Sequence, residues 1–411
     1  MTMPVAAHNP EGRFRPVILG AFGPPCLACL RSWGRQGWQP GIIAVQAPGE
    51  SRPRSRYLHE SCVLPREALF TESGIATIAD FLESFEASGL MCIDEQVAVW
   101  LNANRERFPP RLQWWIPPTG TVNRVLSKID QIEAAAKVGL DVLPTYFLHP
   151  DHPLADIPAE HFPLCLRPSR PNAIRPEFKV RNVANRIEID EFLHSLETVE
   201  SPLIGQPFTN LPNLVVHGAR SAEGETVGLK AFLVARKFQG VTLTISSCTL
   251  TDELASKCRA FTDELGMVGN YHFEFLIDPR TEKAFFLEVN YRFGGTTAKV
   301  MACGYDEPAW AMKSLGVETL VGDRDMLVTA SSKQALVKSL LCAMKNELTA
   351  LDYPDETYTR RLLYSLYGLL FFRDDVFCLD DLGGSCGYYL GNVWSKVRSR
   401  AGQLFKKQVS G

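Results

Sequence analysis

The chain has 411 residues, 45% of them apolar, and a formal net charge of −3; it is long enough for two or three domains with full cores and has the composition of a soluble globular enzyme. The balance of 43 Lys and Arg against 46 Asp and Glu excludes bulk attraction to nucleic acid, no run reaches the ~18 apolar residues that span a bilayer, and the first residues lack the apolar core of a signal peptide. The 11 cysteines, an odd number set in apolar contexts such as Cys165 and Cys342, read as reduced thiols of a cytoplasmic protein.

Pro16–Gly20 (PVILG) reads as a buried strand, followed by the turn AFGPP, an apolar-periodic helix through Cys26–Gln36 and a second strand at Gly41–Val45. That order opens a parallel α/β unit. Gly20 and Gly23 lack the third glycine of the dinucleotide fingerprint, so no Rossmann cofactor is expected. Cys26 and Cys29 have CxxC spacing but no second ligand pair, and are read as buried helix residues. Ala76–Phe85 predicts a helix, Leu90–Ile93 a short strand and Glu95–Arg107 a helix. The proline-rich interval Pro109–Pro118 then marks a domain boundary.

Beyond it, Val122–Val138 predicts one amphipathic helix ended by Gly139, and a strand starts at Pro144–Leu148. FPLCLRPS (Phe162–Ser169) leads into a cationic loop carrying Arg170, Arg175 and Lys179, and LIGQPF spans Leu203–Phe208. Asn213–His217, Val227–Lys237 and Val241–Ser247 complete a sheet, and Asp252–Leu265 is a helix closed by Gly266. Helices are expected at Thr296–Cys303, Ser331–Leu351 and Glu356–Phe372. In the tail, Asn392–Gln408 combines Trp394, Val397, Leu404 and Phe405 with Lys396, Arg398, Arg400, Lys406 and Lys407 and no acid. This composition fits an interfacial helix that contacts a membrane or an acidic partner; the plainer reading is a terminal helix packed on the protein's own core.

The richest segment is Tyr271–Thr297, YHFEFLIDPRTEKAFFLEVNYRFGGTT. Two alternating strands, Tyr271–Asp278 and Ala284–Arg292, flank a turn through Pro279–Lys283. A turn centred on Thr281 sets Glu274 opposite Glu288 and His272 opposite Asn290, with Glu288, Asn290 and Arg292 on one face. Like charges directly opposed are destabilising, yet two carboxylates and an amide oxygen form a cage for a hard divalent cation. Arg292 adds a fixed positive charge, and Gly294–Gly295 opens a turn whose amides suit an anion.

FEFLID…FFLEVNYRFGG resembles the metal-binding core of the ATP-grasp superfamily, in which an acid on one strand faces E-x-N-x-R on the next. The segment SRYLHESCVLP (Ser55–Pro65) and the run VLSKIDQIEAAAKVGLDVLPTYF resemble parts of the same family. The resemblance implies an α/β (α+β) fold with an N-terminal parallel α/β domain (1–118), an ATP-grasp module with an antiparallel sheet (119–325) and a helical C-terminal extension (326–411). It implies Glu274, Glu288 and Asn290 as ligands of Mg²⁺ or Mn²⁺, and Arg292 as the residue stabilising the reacting phosphoryl or acyl phosphate. It further implies Lys128, Arg167, Gln206 and Lys237 as contacts to ATP. Arg167 stands where many relatives have lysine, and the cationic loop replaces a glycine-rich lid.

The implied activity is that of a carboxylate–amine ligase. A substrate carboxylate takes the γ-phosphoryl of ATP, and an amine then displaces phosphate from the acyl phosphate. The layout is similar to D-aspartate ligases and to the ATP-binding portion of carbamoyl-phosphate synthetases. The alternatives are an ATP-grasp enzyme that activates bicarbonate and a nucleotide-binding module without activity. Small-molecule substrates and a homodimer are the partners the resemblance implies.

Overall fold

Short apolar runs punctuated by glycine, proline and capping residues make the opening third alternate strand and helix. The computed structural model describes residues 14–50, 52–152, 156–322, 328–349, 352 and 356–391. The first sheet takes β1 (Pro16–Gly20), β2 (Gly41–Gln46), β3 (Glu60–Pro65), β4 (Gly89–Cys92) and β5 (Gln113–Trp114) in the parallel order β3-β2-β1-β4-β5. Between these strands lie α1 (Pro24–Arg35), α2 (Glu72–Ser84) and α3 (Glu95–Ala103). Cys26 and Cys29 are fully buried in α1, and burial pushes the Cys26 thiol up to about 12. Asp94 caps α3 by accepting from the amides of Gln96 and Val97, which sets Glu95 at the first helical position.

The single helix expected at Val122–Val138 is two: α4 (Thr119–Leu126) and α5 (Lys128–Lys137). Ser127 separates them, leaving helical geometry (φ −92°, ψ 108°) so that its hydroxyl can accept from the Asp130 amide. Ser-x-x-Asp is a capping pattern that restarts a helix where an uninterrupted apolar period predicts continuation. Following β6 (Asp141–Val142), a four-stranded sheet joins β7 (Tyr146–Leu148), β8 (Leu164–Pro168), β10 (Arg181–Val183) and β12 (Leu203–Pro207). Beside it stand α6 (Arg186–His194) and the small pair β9 (Ile174–Arg175) and β11 (Thr198–Val199).

An eight-stranded sheet carries the rest: β13 (Asn213–Arg220), β14 (Thr226–Phe238), β15 (Val241–Cys248), β16 (Gly269–Ile277) and β17 (Ala284–Asn290), joined by β6 and by two later strands. Alternation on β16 sends Tyr271, Phe273 and Phe275 into the core, all at 0% exposure, where α7 (Asp252–Leu265) covers them through Phe261. Each such ring contributes about 1.5–3 kcal/mol by burial. The same alternation leaves His272 and Glu274 on the other face. There, α8 (Thr297–Ala302) and α9 (Glu307–Ser314) pack against the sheet and against α1.

The C-terminal part is helical as expected, with α10 (Lys333–Met344), α11 (Tyr358–Phe371) and a helix over 382–391, but it also adds strands β18 (Thr329–Ser331) and β19 (Arg373–Asp374) to the large sheet. The helix expected at Ser331–Leu351 is therefore shorter at both ends. Likewise the expected helix Glu95–Arg107 stops at Ala103 and continues as a 3₁₀ turn at Arg105–Arg107. The basic segment Asn392–Gln408 lies outside the described residues.

A buried ion pair docks this last part on the first sheet. Arg31 Nε donates to Asp381 Oδ2 at 2.9 Å, with side-chain exposures of 6% and 0%. Asp381 also accepts from Ser55 Oγ (2.9 Å) and from the amides of Arg56 (2.8 Å) and Gly384 (3.1 Å). Asp381→Ala leaves the Arg31 guanidinium buried without its counter-charge, a defect that typically costs about 3–5 kcal/mol. Urea unfolding should show that loss; a change below about 1 kcal/mol would mean that Arg31 finds water or another partner.

Candidate active site

The β16–β17 hairpin pairs His272 with Asn290 and Glu274 with Glu288. A bulge follows, since Phe275 pairs with Phe286 and Leu287 has no opposite number. The turn is accordingly centred between Arg280 and Thr281, not on Thr281, and the extra residue in β17 restores the facing acids. Asn290 Nδ2 donates to Glu288 Oε1 at 3.4 Å, and Arg292 Nη2 donates to Asn290 Oδ1 at 3.4 Å. Arg292 itself lies just beyond the end of β17.

Lys128 reaches this face from the first turn of α5. Its ammonium bonds Glu288 Oε2, and its backbone amide donates to the Ser169 carbonyl at 2.9 Å. The helix is anchored to the hairpin by Gln131, whose side chain accepts from the Val289 amide (2.8 Å) and donates to the Val289 carbonyl (3.1 Å). The charge of Lys128, seconded by Arg167, holds Glu288 below the usual carboxylate range. Burial and the facing Glu288 push Glu274 the other way, against the pull of Lys128, Lys237 and Arg292.

The two acids are thus unequal: Glu288 is compensated and Glu274 is not. Among the described residues the only basic group within ion-pair distance of Glu274 is His272 Nε2 at 4.0 Å, and burial drives that imidazole toward its neutral form. The carboxylate side chains keep 26% and 33% exposure, so their face is partly open to solvent. An under-compensated acid, a second acid and an amide oxygen on one open face suit a hard cation such as Mg²⁺.

The other residues singled out in the sequence converge on the same place. Arg167 Nη2 donates to Gln206 Oε1 at 2.6 Å, and Gln206 Nε2 donates to Thr145 Oγ1 at 2.9 Å. Gln206 is buried and braces Arg167 across the β8–β12 pair. Lys237, at the end of β14, is lowered by burial and partly restored by the charge of Glu274. Its neighbour Arg236 turns away, clamped by Glu356 and stacked over Tyr364 with its guanidinium carbon 4.2 Å from the ring centroid.

Two expectations need revision. The turn at Gly294–Gly295 does not offer both amides, because Gly294 N donates to Thr297 Oγ1 at 3.0 Å. Gly294 is required for another reason: a Cβ there would lie 2.5 Å from the His272 ring. The cationic loop is also partly spent on nearby acids, with Arg175 paired to Glu177 of the loop and Arg170 3.9 Å from Asp130 of α5, while Lys179 is exposed.

Sequence reasoning misses Glu95. Arg292 Nε donates to Glu95 Oε2 at 2.6 Å, and the Tyr291 amide donates to Oε1 at 3.3 Å. The acid comes from α3, 197 residues earlier, and has no local mark beyond following a capping aspartate. Lys299 and Asp375 are missed as well. They form a buried pair at 3.0 Å, and Lys299 Nζ also donates to the Gly295 carbonyl at 3.2 Å, tying the Gly294–Gly295 turn to the segment after β19.

No family model matches the sequence, and no curated protein matches it. Solved structures do. An N5-carboxyaminoimidazole ribonucleotide synthetase in its ADP complex is similar over 77% of this chain and 80% of its own, with 13% identity and a TM-score of 0.59. An L-amino acid ligase from Bacillus licheniformis is similar over 75% of each chain at 14% identity, with a TM-score of 0.55. The biotin carboxylase domain of the 2-oxoglutarate carboxylase from Hydrogenobacter thermophilus, bound to MgADP, ADP and bicarbonate, covers 75% of this chain and 71% of its own at 16% identity, with a TM-score of 0.56. Identities this low speak for architecture alone: the fold of this chain is the one these enzymes share, the ATP-grasp fold.

Proposed function

We propose that the chain is an ATP-dependent carboxylate–amine ligase working with Mg²⁺. The observation that carries the reading is the open face formed by Glu274, Glu288, Asn290 and Arg292, with Lys128 and Lys237 beside it. Glu274, Glu288 and Asn290 hold the metal, which when bound neutralises and templates the phosphate oxygens. Lys128, Arg167 and Lys237 supply further positive charge to the triphosphate, and Gln206 fixes Arg167 in place. A substrate carboxylate oxygen bonds to the γ-phosphorus as the bond to ADP breaks; an amine nitrogen then bonds to the carbonyl carbon, loses a proton and expels phosphate. Such transfers depend on positioning and charge neutralisation, so no side-chain nucleophile is called for. Arg292, oriented through Nε by Glu95, presents the Nη hydrogens not taken by the Phe293 carbonyl and Asn290 Oδ1 to the oxyanion at the carbonyl. On this reading the domains run 1–118, 119–325 and 326–411.

Bicarbonate is a second reading for the activated carboxylate, supported by the neighbour that is bound to MgADP and bicarbonate. ADP release measured with pools of amino acids, with bicarbonate alone and with neither separates the two. The ligase reading expects release that needs both a carboxylate and an amine and that vanishes without Mg²⁺. Release with bicarbonate alone would transfer the assignment to the second reading, and none under any condition would remove both.

The inequality of the acids gives a further outcome. Glu274→Gln and Glu288→Gln should both abolish Mg²⁺-dependent turnover, but their effects on stability should be opposite. Glu274 faces a like charge without a compensating partner, so its neutral replacement should hold or raise the melting temperature at neutral pH. Glu288→Gln strips Lys128 of its counter-charge and should lower it. Equal shifts in both variants would show that the Lys128 ion pair does not discriminate the two sites.

Arg292→Ala should reduce kcat on the order of 10²–10³-fold with little change in the KM for ATP. Arg292→Lys should not restore it, because an ammonium cannot bond Glu95 and an oxyanion with the same fork. Weaker ATP binding at unchanged kcat would instead place Arg292 on the nucleotide.

A further inference from the structure

Beneath the open face lies a second cluster that the ligase reading leaves unused. His217 on β13 pairs in register with His272 on β16, and their rings lie 5.0 Å apart at an interplanar angle of 13°. Glu307, the first residue of α9, points into the same spot with Oε1 3.0 Å from His217 Nδ1. Exposures are 0% for His217, 3% for His272 and 0% for Glu307. Despite this burial, His217 Nδ1, His272 Nδ1 and both Glu307 oxygens form no hydrogen bond; the 3.0 Å contact lacks the alignment of one. Four polar atoms so placed each carry an uncompensated desolvation cost.

We propose that His217, His272 and Glu307 form a buried site for a divalent transition ion of the zinc class, distinct from the Glu274–Glu288 pair. Two imidazole nitrogens and a carboxylate oxygen are a donor set such ions take, whereas Mg²⁺ prefers oxygen. The candidate ligand atoms lie within 4.8 Å of one another. Metal–ligand bonds of ~2.0–2.2 Å set ligand atoms roughly 3.3–3.6 Å apart at a tetrahedral centre, so His217 Nδ1 and Glu307 Oε1 part slightly from 3.0 Å and the atoms of the widest pair each close by less than about 1 Å. The second ring nitrogen of His217 is already oriented by Thr296 Oγ1 at 3.0 Å, the outer support that ligating histidines use. Glu307 is held by α9, whose cap Asp306 accepts from Ser32 Oγ (2.6 Å) and the Ala309 amide (3.2 Å). The ion ties β13, β16 and α9 together under Glu274.

Zn²⁺ is the probe. The full chain, purified without chelators or metal-affinity resin and kept in excess Mg²⁺, should retain about one equivalent of zinc by elemental analysis. In a chelator-competition titration Glu307→Gln and His217→Gln should weaken Zn²⁺ by at least on the order of 10–100-fold. Glu288→Gln should leave that affinity unchanged. X-ray absorption of the wild-type zinc form should show scattering from two imidazole rings, a readout independent of whether the variants fold. Zinc lost in Glu288→Gln but kept in Glu307→Gln, an oxygen-only shell, or a wild type that holds no zinc would each overturn the site and leave a direct His217–Glu307 ion pair in its place. None of these measurements uses turnover, so the site and the ligase reading stand or fall separately.

Discussion

Two carboxylates held face to face across neighbouring strands set the terms for the whole site. The backbone register leaves Glu274 and Glu288 no freedom to separate, so positive charge has to come to them. It arrives from several parts of the chain: Lys128 from the start of a helix, Arg167 from the end of β8, Lys237 from the end of β14 and Arg292 from just beyond β17. Each needs its own support. The helix break at Ser127 aims Lys128, Gln131 binds that helix to the hairpin backbone, Gln206 braces Arg167, and Glu95 holds Arg292. These four supports together hold the cations that offset one repulsion.

The asymmetry between the acids follows from which of these cations makes contact. Lys128 bonds Glu288 directly, whereas Glu274 is influenced only through the field of the surrounding charges. One acid therefore behaves as a fixed anion and the other as the place where added positive charge gains most. On the proposed reading, such a difference on a partly solvated face would direct an entering cation toward Glu274.

How much of this shows in the sequence depends on the range of the interaction. The strands of the β16–β17 hairpin declare themselves by alternation, and the parallel opening sheet by short apolar runs. Even so, the facing of Glu274 and Glu288 survives in the sequence reading because a displaced turn and the bulge at Leu287 cancel. The split at Ser127 was legible in principle, since Ser-x-x-Asp caps a helix, but hydrophobic period overrides a one-residue interruption. Glu95, Asp375 and the His217–Glu307 contact carry no local pattern, because their partners lie far off in the chain and only the tertiary fold brings them together.

The part of the chain after α9 looks peripheral, yet two of its acids hold side chains adjoining the site. Glu356 fixes Arg236 beside Lys237, and Asp375 fixes Lys299 beneath the Gly295 carbonyl. Both acids are made after every residue assigned to the phosphates or the metal. During synthesis the hairpin is complete before Asp375 exists, so Lys299 lacks this ion-pair partner until the last strand arrives. The emerging chain would have most of a sheet but not yet the ion pair that holds the Gly294–Gly295 turn. Completion of the site would then coincide with arrival of the last strand, so that a ribosome-bound or prematurely terminated chain has the fold's outline without its working geometry.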